Sequence, residues 1–405
     1  MPFKVLLAHN YYLQPGGEDT AFAAEVRLLR SRGHEVVEYV DDNRRVASLG
    51  QARTALQAIW SGPGYARLEQ VLRRERPDVA HFHNTFPLIS PSAYYACRKA
   101  GIPVVQSLDN PRLLCPSANF YRDGRLCQDC LGKTPPWPSV VHRCYHRSAV
   151  QTAVVASMLT AHRVLRTWQR MVDLYLVATE FYRNKFIEGG LPASRLRVKP
   201  HFVDPDPGVG TTGRQGAYAL FVGRLDPEKG VDTLLQAWRT IGDIPLKICG
   251  EGRLEAHVRD FIERNHLTNC VELVGRLPTD PFLEMMKGAR FLVWPSEGYY
   301  ETFGYVAVES FGCGVPVIAG RLGVPAEIVS HGSTGLLFDP GSPADLAQKV
   351  QWAWDHAGDM VRMGHQARAE YESKYTADRN YPLLLDAYET AIRHRWPSHF
   401  SEGPG

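Results

Sequence analysis

The feature that most constrains the fold of this 405-residue chain is a repeated alternation of short apolar strands with helical patterns. It occurs in two series, separated by a segment rich in Pro, Gly, Asp and Thr at 200–216. Alternation of this kind predicts parallel sheets with helices on both faces. The predicted strands are 3–8, 36–39, 79–82, 104–107, 174–178 and 196–199 in the first series, and 219–222, 246–249, 271–274, 291–294 and 315–319 in the second.

We therefore predict an α/β fold of two doubly wound, Rossmann-like domains that face each other, with a hinge at 200–216. The first domain covers 1–203, with a cysteine-rich insert at 110–147, and the second covers 217–380. Ligands are expected at the carboxyl ends of the strands. The formal net charge of +3 does not demand a nucleic-acid partner, and no run of about 18 apolar residues could span a bilayer.

The amino terminus, residues 1–9, has too short an apolar run for a signal peptide and is predicted to be a strand. We expect a cytoplasmic enzyme, with a peripheral position on the inner face of a membrane as an alternative.

Two glutamates, Glu301 and Glu309, stand eight residues apart after the predicted strand at 289–295. A helix is predicted at 302–312, so one carboxylate lies at its start and the other about two turns in, roughly on the same face. The free backbone amides at the start of the helix suit an anion. Carboxylates beside an anion site fit hydroxyls and a diphosphate, although two glutamates on a solvated helix face are the ordinary alternative.

A second motif follows the first strand of the second series. The strand breaks at Gly223 and is followed by Arg224 and Lys229 before another helix. Two cations and a helix N-terminus at the carboxyl end of a strand can form a clamp for a diphosphate.

The run Gly-Arg-Leu-x-Pro-Glu-Lys-Gly at 223–230, and the Glu-x7-Glu run followed by Gly-x-Pro-Val-Ile, resemble family-4 glycosyltransferases of GT-B fold and the retaining class. The N-terminal half adds Gly-Gly-Glu-Asp at 16–19 and His-Phe-His-Asn-Thr at 81–85. The resemblance covers nearly the whole chain. It implies a sugar nucleotide in the crevice between the domains, no catalytic metal, and a last helix, at 381–405, that crosses back onto the first domain.

The resemblance also implies an activity and its residues. The activity is retaining transfer of a hexose-type sugar from a nucleoside diphosphate sugar to a hydroxyl of a glycan or lipid-linked glycan. The catalytic candidates are Arg224, Lys229, Glu301 and Asp109. The donor-binding candidates are Gly17, Gly223, Gly275, Leu277, Thr302, Phe303, Gly304 and Glu309. The acceptor-binding candidates are Gly16, Glu18, His83, Asn84 and Asn110.

One position departs from the family pattern. Relatives carry a histidine, which faces the transferred sugar, where this chain has Asp109, and a tyrosine where it has Pro111. An ionised Asp109 accepts hydrogen bonds from sugar hydroxyls but cannot donate one to a phosphate, and its charge would repel that group. His83 and His9 are candidates to compensate, and each has the alternative of being a satisfied buried histidine.

Four of the eight cysteines cluster in the insert, and the central pair has Cys-x2-Cys spacing. This spacing lets two thiolates reach one tetrahedral ion, and an outer cysteine on each side completes four sulfurs. We predict structural zinc, with reduced thiols, disulfides or an iron–sulfur cluster as alternatives and His142 and His146 as substitute ligands. The predicted zinc ligands are Cys115, Cys127, Cys130 and Cys144.

The Asp-Pro-Asp run at 204–206 has the Asp-x-Asp form of a metal-binding motif, but it is interpreted as ordinary hinge sequence, in which prolines and acidic residues are common.

The segment 131–172 contains no Asp or Glu but many basic residues, and its later part has a helical pattern with apolar and aromatic positions. Such a segment could rest on an anionic membrane surface, receive a phosphate-bearing acceptor, or be a solvated helix face over a core. The basic residues are Lys133, Arg143, Arg147, Arg163, Arg166 and Arg170, with His142, His146 and His162.

Two other functions stay open on the same architecture. A nucleotide-sugar epimerase would convert donor without acceptor. A sugar-nucleotide-binding protein with little activity, suggested by Asp109, would bind nucleotide without transfer.

Overall fold

The computed structural model describes residues 2–14, 16–210 and 216–396. Residues 211–215 of the predicted hinge and residues 397–405 of the predicted last segment therefore lie outside the described part. The chain divides into two compact units. The first comprises 1–120, 128–201 and 380–405, and the second comprises 121–127 and 202–379, so a short piece of the insert groups with the second unit.

The elements alternate along the chain as follows: β1 (Lys4–Tyr11), α1 (Gly17–Ser31), β2 (Glu35–Asp42), α2 (Arg45–Leu49), α3 (Gln51–Ile59), α4 (Gly62–Glu75), β3 (Val79–Phe82), α5 (Ser92–Ala100), β4 (Val104–Ser107), β5 (Tyr121–Arg122), β6 (Arg125–Leu126), α6 (Trp137–Val141), α7 (Ala149–Val164), α8 (Thr167–Arg170), β7 (Leu174–Val177), α9 (Glu180–Glu188), β8 (Leu196–Val198), β9 (Tyr218–Val222), α10 (Val231–Ile241), β10 (Leu246–Cys249), α11 (Glu255–Arg264), β11 (Val271–Leu273), α12 (Thr279–Gly288), β12 (Ala289–Trp294), α13 (Tyr305–Gly312), β13 (Val317–Gly320), α14 (Val324–Ile328), β14 (Gly335–Phe338), α15 (Pro343–Asp355), α16 (Ala357–Lys374) and α17 (Ala377–Arg395). Short 3-10 turns lie at Ala193–Arg195 and Pro227–Lys229.

Each unit is built on a six-stranded sheet. The orders are β2-β1-β3-β4-β7-β8 and β11-β10-β9-β12-β13-β14, and every pairing within these two sheets is parallel. In the first sheet the strand order reverses between β1 and β3, and in the second between β9 and β12. These two reversal points are where a doubly wound sheet opens a crevice for ligands. The prediction of two doubly wound parallel sheets is confirmed.

The strands form because they carry continuous apolar runs that parallel sheets bury on both faces. In the first unit, α1 and the last helix pack on the sheet, and the core includes Phe22 and Tyr388, both about fully buried. In the second unit, Trp238 of α10 is completely buried against the sheet. Burial of one such large apolar side chain stabilises the fold by roughly 1.5–3 kcal/mol.

Local signals fix several helix starts. The side chains of Ser61, Ser148, Thr179 and Ser342 each accept a hydrogen bond from a backbone amide in the first turn of α4, α7, α9 and α15. Such caps satisfy amides that have no partner within the helix.

One helix boundary differs from the prediction. The helix predicted to begin at 302 begins at Tyr305, because Gly304 has a φ of 91°, in the left-handed region that favours glycine. A Cβ at this position would lie 2.2 Å from the Trp294 ring. Glu301 therefore lies in the loop before α13, and the prediction that it shares a helix face with Glu309 is wrong.

Candidate active site

In the second unit, the loops that follow β9 and β12 lie side by side, because these strands are neighbours at the reversal point. Gly230 closes the first loop with a φ of 69°, and a Cβ there would lie 1.9 Å from the carbonyl oxygen of Pro295 in the second loop. Only glycine allows this approach, which brings the side chain of Lys229 to that of Glu301.

The Lys229 ammonium and the Glu301 carboxylate form the centre of this site. Lys229 Nζ lies 2.7 Å from Glu301 Oε1, and Trp294 Nε1 and Ser296 Oγ donate to the same oxygen at 3.0 and 2.6 Å. Lys229 also contacts the hydroxyl of Tyr299. Burial alone would raise the pKa of Glu301, but Lys229 and the other donors outweigh it and lower the pKa to about 2. The carboxylate is thus ionised and fixed in position.

Arg224 lies in an ion-pair network beside this centre. It contacts Asp226 at 2.8 Å and Glu228 at 3.4 Å, and Arg253 contacts the same two carboxylates at 3.0 and 3.2 Å. Both arginines are more than half exposed. Protein carboxylates therefore hold the two guanidinium groups in place, while each remains accessible to an anion.

The start of α13 lies next to this cluster in sequence, after Phe303 and Gly304. The first amides of a helix have no intrahelical partner, so this helix start suits an anion. Thr302 is partly buried and Phe303 is buried. Within the helix, burial raises the pKa of Glu309 to about 7, so its carboxyl group is poised to exchange hydrogen bonds with a polar ligand.

Three further donor-binding candidates lie in loops of the second unit: Gly223 follows β9, and Gly275 and Leu277 follow β11. The amide of Gly223 donates to Cys249 O at 3.1 Å, and the amide of Gly250 donates to Gly275 O at 3.0 Å. Leu277 follows in the same loop as Gly275. The loops that follow β9, β10 and β11 thus meet at the same edge of the sheet.

In the first unit, the Gly-Gly turn leads from β1 into α1. The Gly16 amide donates to Asp19 Oδ2 at 2.7 Å, and a Cβ at Gly16 would meet no atom within 4 Å. Gly17 is the first residue of α1. The other oxygen of Asp19 lies 2.8 Å from the ring of His9. His9 is thus a satisfied buried histidine.

A buried network of charges surrounds His83, which directly follows β3 at the β1/β3 reversal point. His83 Nδ1 lies 3.1 Å from Asp109, and His83 Nε2 lies 3.2 Å from Glu25. Lys199 Nζ lies 2.7 Å from Glu25, and His201 lies 3.3 Å from the second oxygen of Asp109. Burial would lower the pKa of His83, but the two carboxylates outweigh it and raise the pKa to about 9.

The network changes the interpretation of Asp109. Burial would raise its pKa, but hydrogen bonds and charge from His201 and His83 lower it well below the usual range. Asp109 is therefore ionised, with both oxygens engaged by histidines. The protonated His83 neutralises the charge that was expected to repel a phosphate.

Five of the candidates line one cavity in the first unit: Glu18, His83, Asn84, Asp109 and Asn110. Glu18 accepts hydrogen bonds from Tyr12 at 2.9 Å and from Asn110 at 2.7 Å. Burial and the charge of Asp109 raise the pKa of Glu18 to about 7. Asn84 uses both ends of its amide internally, with Asn10 O and the Phe86 amide, so it shapes the loop.

Sequence reasoning missed Glu25, Lys199, His201 and Arg253. Three of them stand at strand ends that could have signalled them, since Lys199 and His201 follow β8 and Arg253 follows β10 in the run Gly-Glu-Gly-Arg. Glu25 lies inside α1, and nothing in its spacing marks a charge that the fold buries.

The raised pKa of His83 predicts how stability depends on pH. Its folded pKa of about 9 exceeds the unfolded value near 6.5, so its stabilisation is complete below pH 6.5 and is lost as the pH rises to 9. Between these values the free energy of unfolding should fall by on the order of 2–3 kcal/mol. Urea unfolding of wild type and His83→Gln across this range measures the effect. Equal slopes in the two proteins would contradict it.

All eight cysteines are unbridged, with Cys115 and Cys130 buried and Cys127 and Cys144 partly buried. Arg163, from α7, donates to the carbonyl oxygens of Leu113 and Lys133, on opposite sides of the central Cys-x2-Cys pair. The Cys130 thiol donates to the carbonyl oxygen of Pro136 at 3.7 Å. Four cysteines, two of them buried, are a donor set that suits a tetrahedral zinc ion.

The basic segment forms α6, α7 and α8. His162 is buried and bonded to Thr167 and to Ile59 O, while Arg143, Arg147, Arg166 and His146 are exposed. Within 2–14, 16–210 and 216–396, no helix combines the length and apolar character that crossing a membrane requires.

In the second unit, the Asp206 carboxylate of the Asp-Pro-Asp run forms a bidentate pair with Arg368.

Two family models match successive parts of the chain. Residues 15–207 match the model described as Glycosyltransferase Family 4, and residues 210–370 match that of Glycosyl transferases group 1. The chain belongs to glycosyltransferase family 4. The family part of the sequence-based resemblance is thereby confirmed, and the matched ranges include β3, β9 and β12 but not β1.

Curated relatives of this family-4 chain cover part of it. It is 42% identical over 172 residues to the uncharacterized glycosyltransferase MJ1178 of Methanocaldococcus jannaschii, which is 42% of this chain and 48% of that protein. It is 32% identical over 161 residues to the D-rhamnosyltransferase WbpZ of Pseudomonas aeruginosa, which is 40% of this chain and 42% of that protein. The chain thus spans about half the length of the curated relatives that it matches.

Solved structures share the fold of the family-4 chain. The match to Anabaena Alr3699/HepE in complex with UDP covers 95% of this chain and 100% of that structure's chain, with a TM-score of 0.69 and 18% identity. The match to the lipopolysaccharide outer core galactosyltransferase WaaB covers 96% of this chain and 99% of that structure's chain, with a TM-score of 0.61 and 16% identity. These matches confirm the predicted GT-B fold.

Proposed function

We propose that the chain transfers a hexose-type sugar from a nucleoside diphosphate sugar to a hydroxyl acceptor, with retention at the anomeric carbon. The observation that carries the proposal is the Lys229–Glu301 pair at the reversal point of the second sheet, with a buried carboxylate and a partly buried ammonium. The exposed guanidinium groups of Arg224 and Arg253 flank it. Cations and an ionised carboxylate at one place fit a diphosphate joined to a hydroxyl-rich sugar.

A uridine diphosphate sugar is the donor that we propose to test first. The solved structures of Anabaena Alr3699/HepE, which share this fold, hold UDP, UDP with glucose, or UDP-glucose. The raised pKa of Glu309 suits a carboxyl group that receives ribose hydroxyls, which is the role expected of it.

In the proposed reaction the bond between the anomeric carbon and the diphosphate breaks, and the acceptor oxygen attacks from the same face. The acceptor's hydroxyl proton passes to the departing phosphate. Lys229, Arg224 and the first amides of α13 stabilise the charge that grows on the leaving group. Glu301 holds sugar hydroxyls through its carboxylate. The acceptor is assigned to the cavity lined by Glu18 and His83.

Nucleotide binding tests the proposal before any acceptor is known. UDP at about 100 times its Kd should stabilise the second unit by about 2.7 kcal/mol, which raises its melting temperature by about 5–10 °C. The measurement is a thermal-shift series with UDP, GDP, ADP and their sugars. Arg224→Ala should weaken the shift, and Arg259→Ala, on the exposed face of α11, should not.

Two outcomes would redirect the conclusion. A melting temperature that no nucleoside diphosphate raises would remove the support for the donor site. An epimer that forms from the donor in the absence of acceptor would replace transfer with epimerisation.

We also propose that the insert holds a structural zinc ion through Cys115, Cys127, Cys130 and Cys144. When bound, zinc would hold together a loop that has little core of its own. Metal analysis of the purified chain should find about one zinc per chain, and Cys130→Ser should lose it and lower the melting temperature. Cys270→Ser, in the second unit, is the matched control. A metal-free chain with unchanged melting would refute the ion.

A further inference from the structure

The cysteine-rich insert contains a two-stranded hairpin that groups with the second unit. Its antiparallel strands, β5 and β6, are joined by Asp123 and Gly124, whose φ values are 50° and 81°. Two consecutive left-handed residues make the tight turn that matches the twist of a hairpin, and Asp-Gly is a favoured sequence for it. The chain passes from the first unit into the second after Phe120 and returns at Gln128. Because a two-stranded hairpin is only marginally stable by itself, this one needs a surface to pack on.

That surface is the loop between β12 and α13, residues 295–304, which carries Glu301. Gly298 in this β12–α13 loop has a φ of 71°. A Cβ on Gly298 would lie 2.7 Å from the carbonyl oxygen of Gly124 and 3.5 Å from Cε2 of Tyr121. The turn of the hairpin therefore approaches the loop so closely that position 298 requires glycine. Both partners in this contact belong to the second unit.

Charged groups of the candidate active site surround Tyr121 of the hairpin. Burial and then the charge of Glu228 raise the pKa of Tyr121, while the charge of Arg253 opposes them. Glu228 is one of the two carboxylates that hold Arg224 and Arg253. Tyr121 therefore lies at the edge of the ion-pair network that presents these guanidinium groups to an anion.

The β12–α13 loop is held on both sides of Gly298. On one side, Glu297 accepts a hydrogen bond from Thr233 Oγ1 at 2.7 Å. On the other side, Tyr299 contacts the ammonium of Lys229 through its hydroxyl, and the same ammonium lies 5.0 Å from the centre of the Tyr299 ring. The hairpin packs on the glycine between these two contacts. A shift of Gly298 therefore also changes the position of Tyr299, its neighbour in the chain, against Lys229.

We propose that the hairpin at 121–126 is a positioning element of the donor site, which fixes the β12–α13 loop by packing Tyr121 and Gly124 on Gly298. This proposal rests on the transferase function proposed above and adds part of the cysteine-rich insert to that site. A donor that orders the loop must, by linkage, favour docking of the hairpin to the same extent. Donor affinity and hairpin docking are thus coupled.

Hydrogen exchange of the full chain tests the docking without any ligand. Gly124→Val places a β-branched residue at a left-handed position, which opens the turn, whereas a Cβ there meets no atom within 4 Å, so the change acts on the turn and not through a clash. Backbone amides of residues 296–301 should then exchange about fivefold faster or more. Gly242→Val is the matched control, because Gly242 follows α10 with a φ of 82° and an equally open Cβ position. It should leave exchange in the loop unchanged.

Nucleotide binding tests the coupling, with UDP-glucose and UDP as probes and isothermal titration calorimetry as the measurement. Gly124→Val and Tyr121→Ala should each weaken UDP-glucose about five- to tenfold. They should weaken UDP by less, because the loop carries the carboxylate that is proposed to hold sugar hydroxyls. Tyr121→Phe keeps the ring against Gly298 and should, like Gly242→Val, bind as the wild type does. UDP-glucose should also slow exchange at 121–126 in the wild type. Melting curves confirm that each variant is folded.

Exchange in the loop that Gly124→Val leaves unchanged would overturn the proposal, and so would faster exchange with unchanged affinity for UDP-glucose. Tighter binding by Gly124→Val would also overturn it, because the hairpin would then obstruct the site. If the hairpin variants bind both nucleotides as the wild type does, only the role of the hairpin falls. If the wild type binds no nucleotide in the thermal-shift series, the proposed transferase function falls, whatever the exchange rates are.

Discussion

Lys229→Met is expected to lower kcat by about 10²–10³, equivalent to about 3–4 kcal/mol of transition-state stabilisation. The ammonium lies 2.7 Å from Glu301 and is largely buried, so it is fixed before the donor arrives. A preorganised cation in such a place stabilises charge on a departing diphosphate without needing to reorient. Steady-state kinetics with the donor found in the thermal-shift series measures the change.

The same substitution should also destabilise the second unit. Removing one member of a buried ion pair leaves the other as an uncompensated buried charge, a loss of about 3–5 kcal/mol. Lys229→Met/Glu301→Gln should recover much of this stability but not the activity. Lys247→Met, which removes a partly exposed pair with Glu272, is the control and should preserve turnover. Turnover of Lys229→Met within twofold of wild type would refute its proposed role.

The second large effect is expected in the first unit. Lys199 is 3% exposed, with its ammonium 2.7 Å from Glu25 and 3.0 Å from Asn380 of α17. Lys199→Met leaves the Glu25 carboxylate buried beside a smaller positive charge, so the free energy of unfolding should fall by about 3–5 kcal/mol. The melting temperature of this unit should then fall by roughly 10 °C.

A double variant separates charge from packing. Lys199→Met/Glu25→Gln should be more stable than Lys199→Met alone, because the unpaired charge is gone. Lys99→Met, whose mostly exposed ammonium pairs with Glu69, should leave the free energy of unfolding close to that of wild type. Urea unfolding checks all three variants. A Lys199→Met protein as stable as the Lys99→Met control would show that the buried network contributes little.

The sequence predicted the two sheets and that Arg224, Lys229 and Glu301 follow strand ends, because apolar runs, glycines and strand ends are local features of the chain. It did not predict that these three groups would differ in exposure. Whether a cation is held by a neighbouring carboxylate depends on side chains from distant elements, as with Arg253 from the loop after β10.

The first unit shows the same contrast between local features, which the sequence reveals, and contacts between distant elements, which it does not. The motif containing His83 was visible in the sequence, and so was the departure at Asp109. The partners that set their charges include Glu25 of α1 and His201 after β8. The same buried region reaches α17, where the Tyr388 hydroxyl lies 3.0 Å from His81, 307 residues away in the chain. No periodicity reports such pairings. The helix start at Tyr305 was missed for a different reason, since the ring of Trp294 that occupies the space beside Gly304 is a tertiary contact.

The reversed strand order of the second sheet has a consequence for how this protein matures. β9 and β12 are neighbours in space, yet β10 and β11, with their helices, are synthesised between them. The ribosome must therefore add some 70 residues after Lys229 before Glu301, its ion-pair partner, is synthesised. In a nascent chain that stops after β11, Lys229 has no Glu301 to pair with and the anion-binding centre is incomplete. Nucleotide affinity acquired during synthesis would therefore report that β12 has been inserted beside β9.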